Sequence, residues 1–94
     1  MEKMINDQMN FEIYSGYIYL AMGAYMDSID LPGFANWMKV QWQEEFFHAA
    51  KMYNYLVERG GRPVFSEVPV PPKDWKSVKA AFEHALEHEQ IVTG

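Results

Sequence analysis

Cysteine is absent from the chain, which removes thiolate catalysis, zinc–thiolate sites, iron–sulfur clusters and disulfide stapling from consideration. Any bound metal must therefore be held by carboxylate oxygen and imidazole nitrogen, a set that suits iron, manganese or zinc. The same absence fits a reducing compartment, so a cytoplasmic location is expected. Positive charge is scarce. Eight Lys and Arg against thirteen Asp and Glu leave a net charge of −5, and no basic run or basic–aromatic patch offers a phosphate-tracking surface. Nucleic acid is not expected as a partner. No apolar run reaches the roughly 18 residues a membrane span needs, because Glu12, Asp27 and Asp30 interrupt the first apolar segment, and no membrane association is expected. The first seven residues lack the basic region and apolar core of a secretion signal.

What the chain has in abundance is bulk. With 49% hydrophobic and 22% charged residues it has the composition of a single folded domain. Yet seven Met, six Tyr, six Phe and three Trp exceed what a small three-helix unit readily buries. Part of the core is expected to come from another chain or from a segment absent here.

The pattern is all-α. A first helix is expected over about 5–28, with Asn6 or Asp7 as its cap. Ile5, Met9, Glu12, Gly16, Tyr19, Met22 and Met26 recur every three or four residues, an apolar stripe broken only by Glu12 and Tyr19. Asp30-Leu31-Pro32-Gly33 reads as a turn in which Pro ends the helix and Gly opens the reversal. So short a link makes the second helix, about 34–59, antiparallel to the first. Its stripe is Phe34, Met38, Gln41, Glu45, His48, Met52 and Tyr55, and Arg59-Gly60-Gly61-Arg62-Pro63 stops it.

A crossover over about 60–76 follows, proline-rich, with 64–68 reading as extended chain. It is too long for an ordinary helix-to-helix turn. At about 3.3 Å per extended residue it can travel roughly 50 Å, more than the roughly 38 Å of a 25-residue helix. It can therefore cross a whole bundle, the connectivity of four-helix bundles with one long crossover. A partial third helix over about 77–93, capped by Asp74 or Ser77, has the stripe Val78, Phe82, Ala85, Glu89 and Val92. His84, Glu87 and His88 fall off that line and are expected in solvent, with Glu83 as partner to His84 or Lys79.

Each expected helix thus carries a glutamate on its buried stripe. In the second, Glu45 and His48 stand three apart, so that an oxygen and a nitrogen can converge on one point. Glu-x-x-His is the unit from which di-iron carboxylate bundles are built. Periodicity alone leaves Glu44 open as an alternative, since it stands four before His48 and would pair with it at the surface. Glu12 has a plain reading too, snorkelling to water or accepting a hydrogen bond from Tyr19. Three buried glutamates converging with a histidine are harder to explain as structure. Unpaired, each would cost several kcal/mol; a cation neutralises them.

These blocks carry a resemblance: Gln8-Met9-Asn10-Phe11-Glu12-Ile13-Tyr14, Tyr17-Ile18-Tyr19-Leu20, Gly33-Phe34-Ala35-Asn36-Trp37-Met38, Gln43-Glu44-Glu45-Phe46-Phe47-His48, Glu58-Arg59-Gly60-Gly61 and His88-Glu89-Gln90-Ile91-Val92-Thr93. In order and spacing the chain resembles the first half or more of a prokaryotic or archaeal non-haem ferritin. The resemblance implies a ferritin-like four-helix bundle, here incomplete at its C-terminal side. It implies iron storage or detoxification, with Fe(II) oxidised to Fe(III) by O2 or H2O2 at a di-iron centre. Glu12, Glu45 and His48 would bind the first iron, Glu45 would bridge to the second, Glu89 would help to hold that one, and Tyr19 would stand beside the site. It selects Glu45 over Glu44, and no haem is expected.

A ferritin subunit continues into a fourth long helix that supplies further ligands. The expected assembly is a homo-oligomer, a cage of about two dozen subunits if that half is present. Otherwise it is a dimer or swapped assembly in which two copies of Glu12, Glu45 and His48 complete one di-iron site. The rival expectation is a truncated, non-catalytic helical assembly module.

Overall fold

The computed structural model describes residues 2–93, with side chains through residue 87. Its elements are α1 (Glu2–Ser28), α2 (Pro32–Glu58) and α3 (Val78–Thr93), and no strand occurs among the described residues. The helices α1 and α2 form a long antiparallel hairpin. On α1 the buried residues are Met9, Glu12, Ser15, Gly16, Ile18, Tyr19, Met22, Gly23 and Met26, which follows the expected stripe closely.

Boundaries differ from the sequence reading at both hairpin ends. The helix α1 begins at Glu2, not near residue 5, because Asn6 and Asp7 do not cap it. Asn6 lies inside the helix and turns its amide onto the Glu2 carbonyl and the Arg62 carbonyl. The reversal is opened by Asp30, not Gly33. Asp30 takes φ of 61°, the Leu31 amide donates to the Met26 carbonyl, and the Asp30 amide donates to the Asp27 carbonyl. This is the paired bonding of a Schellman cap. Pro32 then occupies the first turn of α2, where its missing N–H costs nothing, and Gly33 is already helical. The far end of α2 closes identically. There Gly60 has φ of 77°, Gly61 donates to the Leu56 carbonyl and Gly60 to the Val57 carbonyl.

The buried residues of α2 are Ala35, Met38, Glu45, Ala49 and Leu56. The expected stripe therefore needs correction: Phe34 is 44% exposed, His48 is exposed, and Gln41, Met52 and Tyr55 are half-buried. The line facing α1 is displaced toward small residues because the two helices approach closely. At Gly16, an added Cβ would lie 2.5 Å from ring carbons of Phe46.

The crossover is registered onto α1 by side chains that behave like the edge of a sheet. The Arg62 amide donates to Glu2 Oε1 and the Val64 amide to Asn6 Oδ1. Asn6 and Asn10 donate back to the Arg62 and Val64 carbonyls, and the Ser66 amide donates to Asn10 Oδ1. Residues four apart on a helix rise about 6 Å, and residues two apart on an extended chain about 6.6 Å. The near match lets Glu2, Asn6 and Asn10 bind residues 62, 64 and 66 in turn.

Ser77 caps α3, its hydroxyl accepting from the Ala80 amide. Edge-to-face packing of Phe34 on Phe82 and the tilted contact of Trp37 with Phe82 join α3 to α2. His84 is half-buried rather than solvated, because Trp75 Nε1 donates to its Nδ1 at 3.0 Å. Glu83 pairs with Lys79 at 3.8 Å.

Candidate metal centre

The hairpin core is divided. One apolar cluster, near the α1–α2 turn, holds Ile18, Tyr19, Met22, Met26, Ala35, Met38, Ala81 and Ala85. A smaller one at the other end holds Met9, Ala49 and Leu56. The break between them on α1 is occupied by Glu12 and Ser15, and on α2 by Glu45. Ser15 satisfies its hydroxyl by donating to the Phe11 carbonyl at 2.9 Å. The two carboxylates are 3% and 4% exposed.

Glu45 rather than Glu44 faces inward, and Glu44 is exposed. One turn on from Glu45, His48 places Nδ1 3.9 Å from Glu45 Oε2 and 3.9 Å from Glu12 Oε2. These separations are too long for hydrogen bonds. They suit an ion set among the three groups, which small side-chain shifts would bring to the roughly 2 Å that transition metals make to carboxylate oxygen and imidazole nitrogen. One ligand atom from each of the three residues lies within 4.8 Å of the other two. Glu12 Oε2 is buried with no hydrogen-bond partner among the described residues, as an oxygen kept for a cation would be. Glu12 Oε1 is engaged: it accepts from Gln8 Nε2 at 3.2 Å. Leaving a buried carboxylate oxygen bare costs of order 1–3 kcal/mol, and an ion would offset that cost.

Of the other expected site residues, Tyr19 is fully buried, on the same stripe as Glu12 and two helical turns along, about 10 Å in rise. The Glu89 side chain lies outside the described residues. Gln8 is a further residue at the site, outside the set expected from sequence. Its signal was its place one turn before Glu12, where a carboxamide reaches a carboxylate on the same face.

Two antiparallel helices that gather two buried carboxylates and an imidazole define a helical-bundle protein with a candidate metal centre. The family model for the ferritin-like domain matches residues 2–94, and the chain belongs to this ferritin family. It is 42% identical over 89 residues to the bacterial non-heme ferritin of Staphylococcus haemolyticus, covering 95% of this chain and 54% of that one. Against the bacterial non-heme ferritin of Bacteroides fragilis it is 39% identical over 93 residues, covering 99% and 58%. An open pore ferritin from the archaeon Archaeoglobus fulgidus superposes with a TM-score of 0.95 at 56% identity, over 99% of this chain and 57% of that one. The chain thus spans little more than half the length of these relatives. Among the described residues no helix is long and apolar enough to cross a membrane.

Proposed function

We propose that this chain carries the first-iron half of a ferroxidase centre and serves iron storage or detoxification in the cytoplasm. The observation that supports this most is the convergence of Glu12 and Glu45, both buried, on the Nδ1 atom of His48 at 3.9 Å. In this reading Fe(II) is the substrate. Hard carboxylate oxygens favour the higher charge of Fe(III), and His48, its side chain 49% exposed, stands where ions enter and leave. Two Fe(II) each give one electron to O2, which takes up two protons and leaves as H2O2; with H2O2 as oxidant the product is water. Glu45 bridges to a second iron held partly by Glu89, and Tyr19 acts from its place two turns along α1. No haem takes part.

Homo-oligomerisation belongs to the same proposal. Trp37, Phe47, Tyr53, Val57 and Phe65 are 44–60% exposed, more bulky apolar surface than a small monomer usually shows.

Anaerobic Fe(II) titration followed by an oxygen pulse tests the reading. Saturable binding with rapid Fe(III) formation, lost in Glu45→Ala, supports it. Equal rates in the two proteins, or oxidation no faster than in buffer, would leave a non-catalytic helical module as the better account.

A further inference from the structure

Gln8 is exposed on α1, yet its side chain reaches inward to a carboxylate that is not. Glu12 offers two oxygens to different neighbours: Oε1 accepts from Gln8 Nε2 at 3.2 Å, whereas Oε2 is bare, buried and 3.9 Å from His48 Nδ1. Only the NH2 end of a carboxamide can face an ionised carboxylate, so chemistry fixes the orientation of the Gln8 amide. A carboxylate free at both oxygens can rotate, or chelate an ion through both. One oxygen tied by a donor one turn away can do neither readily.

We propose that Gln8 is a positioning residue for the metal centre: by holding Oε1 it fixes the carboxylate plane of Glu12 and leaves Oε2 as that residue's single ligand atom. The proposal rests on the reading of Glu12, Glu45 and His48 as a metal centre. Its consequence is an open coordination shell. A Glu12 bound through one oxygen leaves a position that a second carboxylate, water or the oxidant can take.

The role differs from that of a surface pair. As a helix-stabilising contact, a Gln–Glu pair one turn apart contributes little, and its loss would barely move the melting temperature. As an outer-shell partner of a ligand, its loss should weaken metal binding by about ten- to a hundredfold.

The test uses Co(II), whose visible absorption reports its coordination number, titrated into the 94-residue chain and into Gln8→Leu, Gln8→Asn and Glu12→Ala. Asn keeps the amide but is too short to reach Glu12, and it carries the test should the Leu variant fold poorly. The expected result is unchanged far-ultraviolet circular dichroism and a Co(II) affinity ten- to a hundredfold weaker in both Gln8 variants. Their absorption should also be weaker and shifted to shorter wavelength, as Oε1 joins the coordination shell. Affinity within twofold of the unaltered chain, or weaker affinity with an unchanged spectrum, would overturn the role of Gln8 while binding lost in Glu12→Ala upheld the centre. Undiminished binding in Glu12→Ala would overturn the centre itself, and the role of Gln8 with it.

Discussion

At the residue scale, the notable feature is a pair of carboxylates placed where folding alone would put leucines. Glu12 and Glu45 interrupt an apolar hairpin core, each at the cost of taking a carboxylate out of water. Glu12→Gln should therefore stabilise the metal-free chain, by about 1 kcal/mol, a rise of roughly 4–8 °C in melting temperature for a domain of this size. The same change should abolish the stabilisation that added divalent metal gives the unaltered chain. Paired thermal melts with and without metal check both signs. How far these residues could be read in advance depended on the kind of signal. Glu12 stood out because its neighbours on the stripe are Met9 and Gly16, so a charge there is anomalous. Glu45 could not be separated from Glu44 by periodicity, since adjacent residues on a helix differ by only about 100° and both border the stripe. Gln8 escaped because its one signal, its place one turn before Glu12, counts only once Glu12 is taken as a ligand.

At the element scale, two devices set the geometry that the ligands need. The close approach of the hairpin helices depends on Gly16, whose missing Cβ admits the Phe46 ring. Gly16→Ala should cost about 1 kcal/mol net, overpacking of 1–3 kcal/mol being partly offset by better helix propensity. Phe46→Leu should relieve it, so a double-mutant cycle should return a favourable coupling energy of about 1 kcal/mol. Additive effects would show that the helices part freely at this point. The second device is the ladder of Glu2, Asn6 and Asn10 along the crossover. Asn10→Ala removes both bonds to Val64 and Ser66 and should speed hydrogen exchange at the Ser66 amide by about tenfold, with little change at core amides of α1. Asn favours helix starts, which makes Asn6 read as a cap. The better clue was its repetition at Asn10: two poor helix formers one turn apart need a tertiary reason. The short turn and the helix-stopping Gly60-Gly61 were legible because cap chemistry is local. That Asp30 carries the positive φ was not, since Gly33 nearby offered itself for the role. The displacement of the α2 stripe to Ala35 and Ala49 was hidden for a different reason: bulk in a sequence does not say which face a neighbouring helix will press against.

At the scale of the whole molecule, apolar surface outruns what the described helices cover. The groove lined by Leu31, Pro32, Gly33, Phe34, Trp37 and Phe82 and the exposed aromatics farther along α2 are the physical form of the surplus bulk noted in the composition. Sedimentation of the 94-residue chain at micromolar concentration should show association, and dilution of the complex should expose Trp37 and red-shift its fluorescence. A monomer at all concentrations, with helices intact, would count against oligomerisation.

If Glu12, Glu45 and His48 hold iron, an anomalous difference map at the iron edge from crystals grown anaerobically with Fe(II) shows the ion itself. A peak is expected about 2.0–2.2 Å from Glu12 Oε2, from a Glu45 oxygen and from His48 Nδ1, absent in crystals of Glu45→Ala. No peak between these three groups, or one that persists at the same height after Glu45 is removed, would contradict it.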